Sequence, residues 1–158
     1  MKSRLLLISV LFTMVSCLTT EVCDDNSQSE LVAMFKTEVS DTVSDTIISG
    51  ISIYGIREGK PDSLLYNTSE TSRVILPLDP HHTYSRFVMR IDEVSDTLTL
   101  VHNTGFYLIS YTCGYGAIFT LDADSIDHGG KLFYKITIED AVVDTNTEPD
   151  EEHLFLYF

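Results

Sequence analysis

Short apolar runs that alternate with polar residues, and never sustain a helical period, constrain this chain more than any other feature. Between Tyr84 and Ile91, Phe87, Met89 and Ile91 fall on one face while Arg86 and Arg90 fall on the other. Thr46 to Ile56 sets Ile47, Ile51 and Ile53 together, and Leu132 to Ile138 does the same with Leu132, Tyr134, Ile136 and Ile138. Successive side chains of a strand point to opposite faces, so this spacing marks half-buried strands. Ile, Val, Thr, Tyr and Phe dominate these runs, and they fit a pleated surface. Turn residues punctuate them: Arg57 to Asp62, Pro77 and Pro80, Cys113 to Gly116, and Asp127 to Gly130. Asn103-Thr104-Gly105 reads as a hairpin link between Thr97–His102 and Phe106–Thr112. The expected fold is all-β, a single antiparallel β-sandwich, Ig-like or similar, of about nine or ten strands.

The N-terminus has a different character. Lys2 and Arg4 precede an apolar run from Leu5 to Val15 that ends in Met14-Val15-Ser16-Cys17. A basic start, an apolar stretch and a small residue before a cut describe a secretory signal. The cysteine after that small residue makes it resemble a bacterial lipoprotein signal, with Met14 where Leu is usual. The apolar run is well short of the roughly 20 residues that a spanning helix needs. Residues 1–16 are therefore expected to be a lipoprotein signal peptide, with Cys17 the lipidated N-terminus. Residues 17–30 have the polar composition of a tether, and 31–158 form the sandwich domain. The expected location is the bacterial cell envelope, at the outer membrane, with the lipid as the contact to the membrane.

Charge narrows the partners. The chain has 10 Lys and Arg against 24 Asp and Glu. Lys2 and Arg4 leave with the signal and no acid does, so the mature charge is 8 − 24 = −16. Such a field repels phosphate backbones and anionic headgroups. Nucleic acid is excluded as a natural partner, and the lipid rather than the protein surface must hold the membrane.

With Cys17 lipidated, Cys23 and Cys113 remain. An exported protein meets an oxidising compartment, where paired cysteines become disulfides. A Cys23–Cys113 disulfide is the first expectation, with free thiols or a metal site as alternatives. No His lies near either cysteine, and the close spacing of a zinc site is missing. No metal and no cofactor is called for.

The order of features resembles an uncharacterised family of Bacteroidales lipoproteins, DUF6452. The resemblance rests on Cys17 followed closely by Cys23, on the Leu31–Phe35 run, and on Leu76-Pro77-Leu78. It continues through the Phe106–Thr112 strand ending in Cys113-Gly114 and the last strand after His153. It implies an envelope lipoprotein with a β-rich fold, and it supplies no activity and no catalytic residues.

Other constellations in the sequence also have plainer readings. Gly50-Ile51-Ser52-Ile53-Tyr54-Gly55 approaches a nucleophile elbow, but Tyr54 stands where the second Gly belongs and the stretch reads as strand. Asp122, Asp124 and Asp127 could hold a hard cation, although a solvated turn accounts for them. His81 and His82 read as an exposed turn pair. Tyr107, Tyr111 and Tyr115 could contact a glycan, though alternating Tyr more often fills a half-buried sheet. Thr42, Thr46, Ser63, Thr97 and Ser125 each follow an Asp and precede an apolar residue, which resembles a Bacteroidetes O-glycosylation motif. The same pattern is what a turn entering a strand requires.

The functional expectation is a non-enzymatic binding or structural module of the envelope, with a protein or a glycan as its partner. One alternative is an envelope or polysaccharide hydrolase. The other is a pilus-like subunit that donates its C-terminal strand to a neighbour.

Overall fold

A computed structural model of the chain describes residues 29–144 and 151–158. The expected lipidation site Cys17, its neighbour Cys23 and the signal and tether segments 1–28 lie outside the described residues.

The described residues form twelve strands in two sheets with no α-helix. In the first sheet the strand order is β10 (Lys135–Ile138), β12 (Leu154–Tyr157), β1 (Glu30–Val39) and β2 (Thr42–Asp45). A further strand, β5 (Arg73–Pro77), lies against the first half of β1. The second sheet runs β11 (Val142–Val143), β8 (Gly114–Leu121), β7 (Val94–Ser110), β6 (Tyr84–Ile91), β3 (Ile48–Ile56) and β4 (Ser63–Thr71). The short β9 (Asp127–His128) pairs with β7.

Period-two burial joins the sheets. From the first come Leu31, Ala33, Phe35, Val74, Leu76, Leu154 and Leu156; from the second come Ile51, Ile53, Phe87, Met89, Leu98, Leu100, Phe119 and Leu121. All share one core with Phe133. Fully burying one such side chain contributes about 1.5–3 kcal/mol. The β-sandwich is therefore what the alternation foretold, and β6 occupies the expected span.

The strands number twelve rather than the nine or ten expected, because short strands such as β9 and β11 add to the sheets, and three further details differ from the sequence reading. The sandwich is antiparallel except at β1 and β12, which run parallel with Ala33 opposite Leu154 and Lys36 opposite Tyr157. Parallel pairing needs a long crossover rather than a tight turn, and nearly the whole domain lies between these two strands. Second, Asn103-Thr104-Gly105 is not a turn. β7 runs unbroken through it, with Asn103, Thr104 and Gly105 opposite Thr120, Phe119 and Ile118. Gly105 does not take the left-handed conformation that a hairpin link would ask of it; Gly114, at φ 78°, does, and there the chain reverses. Third, the clean alternation over Leu132–Ile138 shortens to β10. Phe133 is buried and Tyr134 is exposed, because the preceding loop is held in place by Asp96.

Asp96 is 2% exposed. Its carboxylate accepts from the amides of Thr97 at 3.0 Å, Lys131 at 3.0 Å and Leu132 at 3.1 Å. Burial alone would raise its pKa, but the amides of Leu132, Lys131, Phe133 and Thr97 outweigh it and hold the pKa below the usual value.

Because β7 is 17 residues long, only its first half lies inside the sheet. Its second half pairs with β8 alone among the described strands, and the two make a hairpin arm turning at Tyr111 to Cys113.

Candidate functional site

A cleft forms where β5 gives way to β6. Pro77 ends β5, since proline cannot donate to a ladder, and Leu78 is buried as the chain leaves the sheet. The Asp79 carboxylate accepts from the His81 amide at 2.9 Å and bonds the His82 ring at 3.1 Å, so the loop folds around it. Its own amide donates to Ser85 Oγ at 2.8 Å. Burial would raise the Asp79 pKa, but the His81 amide and the His82 ring outweigh it and lower it.

Beside this loop, Tyr84 donates its hydroxyl to a Glu58 carboxylate at 2.7 Å, bridging β6 to the β3–β4 turn. That bond raises the phenol pKa, so Tyr84 is a neutral donor at physiological pH. The Arg86 guanidinium lies 5.3 Å from the centre of the Tyr84 ring, within cation–π range. Arg57 reaches Ser63 at 3.3 Å, and Lys60 completes the rim. The cleft is open to solvent and its volume is about 420 Å³, within the span of small-ligand sites. Arg57, Lys60 and Arg86 are three of the eight Lys and Arg left after residue 16. They share the cleft with the carboxylates of Glu58 and Asp79.

Ser85 and His102 form the arrangement nearest to a catalytic pair, with Oγ and Nε2 2.9 Å apart. Both are buried. Burial lowers the His102 pKa, so the ring is neutral. Its Nδ1 lies 3.5 Å from Thr104 Oγ1, and its edge meets the Phe119 ring. Ser85 Oγ accepts the Asp79 amide as well, which leaves the hydroxyl no open approach for a substrate. The pair fastens the loop to the sheet. Ser85 lies on β6 and His102 on the neighbouring β7, so only register brings them together.

The other singled-out residues fall elsewhere. Tyr107 lies opposite Gly116, over which its ring packs, while Tyr115 lies opposite Leu108 on the other face of the arm. Tyr111 is in the turn and is 99% exposed. The three tyrosines share the arm but do not make one platform. Cys113 is half-buried in the same turn, its amide donating to Ser110 Oγ at 3.0 Å; its expected partner Cys23 is outside the described residues. Asp122 spends its oxygens on the Asp124 amide and the Ser125 hydroxyl, and no group able to hold a metal forms among the described residues. Thr42 and Thr97 are exposed, whereas Thr46, Ser63 and Ser125 are half-buried. Ser52, the serine of the elbow-like stretch, is in strand β3. No described helix is long and apolar enough to cross a membrane, which says nothing of strands.

The family of unknown function DUF6452 matches residues 50–158. The chain belongs to this family. The match begins inside β3 and takes in the cleft and the arm, with β1 and β2 upstream of it. No curated protein and no solved structure matches the chain.

Proposed function

We propose that this protein is a cell-envelope lipoprotein of the Bacteroidales kind, lipid-anchored through Cys17 at the outer membrane. It is a non-enzymatic binding module whose cleft beside Tyr84 takes an acidic saccharide. The observation that carries the ligand class is Tyr84 with Arg86 against its ring and Glu58, Asp79 and His82 around it. Sugars present apolar ring faces to aromatic side chains and hydroxyls to planar polar groups, and Arg57, Lys60 and Arg86 suit a ligand carboxylate. The address is supported by Met14-Val15-Ser16-Cys17 at the end of the apolar run. A Cys23–Cys113 disulfide belongs to the same reading, supported by the export signal, since paired cysteines in an oxidising compartment become disulfides.

Two alternatives are weaker. Against a hydrolase, the Ser85 hydroxyl is engaged by the Asp79 amide and His102. Against a donated C-terminal strand, β12 is flanked within its own chain by β10 and β1.

The test is calorimetric titration of the full chain with oligouronides and with neutral oligosaccharides of equal length. Acidic oligomers should bind better. Tyr84→Ala and Arg86→Ala should each weaken binding about tenfold, ~1.4 kcal/mol. Unchanged affinity in both variants would remove the cleft as the site, and cleavage of the oligomers would favour the hydrolase. The anchor is tested separately, by release of a Cys17→Ala variant from washed membranes.

A further inference from the structure

The β7–β8 arm leaves the sandwich with an unusual surface. From Asn103 to Leu121 there is no Asp, Glu, Lys or Arg, in a chain where these make up 22% of residues. No other stretch after Cys17 is uncharged for as long. At its base the arm carries the core: His102, Phe119 and Leu121 are buried. Farther out the same face continues, by strand register, as Phe106, Leu108, Tyr115 and Ala117. There Phe106 is 59% and Tyr115 72% exposed, and Tyr111 stands free at the turn. An apolar face this continuous is not the scatter of single hydrophobics normal on a soluble surface.

We propose that the tip of this arm is a membrane-contact site, with Phe106, Tyr111 and Tyr115 lying in the headgroup region of the bilayer. The inference deepens the lipid-anchored reading and rests on it. Three observations select lipid over another occupant. Among the described residues the arm is the longest stretch without charge on a strongly acidic molecule, so it can approach anionic headgroups with the least repulsion. Of its five exposed large apolar residues, Phe106, Tyr111 and Tyr115 are aromatic and Leu108 and Ile109 aliphatic, and Tyr is a residue type that favours the membrane–water interface. Finally, Cys113 is at the tip, so a Cys23–Cys113 bond puts the tip within six residue steps of Cys17. Fully extended, those steps reach about 20 Å.

The arm also solves an electrostatic problem. From Gly105 to Ser110 each limb extends by about 17 Å at roughly 3.4 Å per residue. Screening at physiological ionic strength acts over about 8 Å. An arm standing on its tip therefore holds the acidic sandwich beyond the range at which it would be repelled. The acyl chains on Cys17 hold the protein at the membrane, and an interfacial aromatic tip adds a second contact that fixes the orientation of the domain.

The chain has no Trp, so Tyr111→Trp introduces a single fluorophore at a fully exposed position. The full lipidated protein is reconstituted in vesicles of phosphatidylethanolamine with a minor share of phosphatidylglycerol, and flotation is measured beside emission. The expected result is flotation, blue-shifted emission relative to the soluble Cys17→Ala form, and quenching by lipids brominated near the headgroup. Tyr115→Trp should respond in the same way. Flotation with water-like emission at both positions would overturn the tip contact and leave the anchor standing. Failure to float would overturn the anchor and this inference with it. Blue-shifted emission from the soluble form that grows with protein concentration would assign the tip to a second copy of the chain.

Discussion

Three buried polar residues hold this fold by opposite electrostatic means. Asp96 stays charged because backbone amides surround it. His102 and His153 stay neutral because burial penalises the imidazolium. His153 is fully buried and accepts the Val32 amide at its Nδ1 at 3.1 Å, tying β1 to the start of β12. Asp96→Ala leaves the Lys131 and Leu132 amides without an acceptor, and chemical denaturation should record a loss of about 2–3 kcal/mol. The pH dependence follows from the same groups. Both His pKa values are lowered in the fold, so their contribution is complete above the unfolded value of about 6.5. It is lost progressively as pH falls from there toward the folded values, because the unfolded chain takes the protons first. The melting temperature should therefore decline between about pH 7 and 5, with His153→Gln flattening the slope. The depressed Asp96 pKa adds a second loss only at lower pH, below the unfolded carboxylate value of about 3.9. A melting temperature that rises on acidification through the first window would contradict the neutral buried imidazoles.

At the scale of elements, β12 and the arm show how much depends on position in a sheet. β12 is four residues long, yet β10 and β1 pair with both of its edges. Leu154 and Leu156 sit in the shared core, and Phe158 packs edge-on against Phe35 and Phe133. Removing residues 154–158 opens a gap between two strands and deletes two fully buried leucines. At about 2–5 kcal/mol for each such side chain, the truncated protein should lack a cooperative melting transition by calorimetry. The arm tolerates change differently. Gly114 reverses the chain with φ 78°, where a side chain is strained, whereas Tyr111 is so exposed that replacing it should leave the melting temperature unchanged. Surface accessibility also orders the O-glycosylation motif. If native protein carries glycan, mass spectrometry should find it at Thr42 or Thr97 before Ser125, whose hydroxyl is bonded to Asp122 at 2.8 Å.

The whole molecule couples an acidic sandwich to an uncharged arm, with the candidate cleft at the β5–β6 loop. Non-reducing peptide mapping of exported protein should recover Cys23 linked to Cys113. Free alkylation of both thiols would separate the arm from the anchor. Much of this architecture was legible in the residues. Alternation in Tyr84–Ile91 located β6 and its buried face, because side-chain direction in a strand depends only on parity. Pro77 and Pro80 marked the loop that became the cleft, since proline stops a ladder wherever it occurs. Local composition, however, does not encode which strands become neighbours. Asn103-Thr104-Gly105 has hairpin chemistry, and only pairing with β8 kept it extended. Ser85 meets His102, Tyr84 meets Glu58, and Asp96 meets the amides of residues 131 and 132 through contacts 17 to 36 residues apart in the chain. Parity and punctuation are properties of a residue and its immediate neighbours, so the sequence by itself determined the strand content, the buried faces and the acidic character. Register, the parallel closure of β12 on β1, the cleft and the projection of the arm arise from pairing across long separations, where many alternatives satisfy the same local pattern, and only the tertiary structure decided among them.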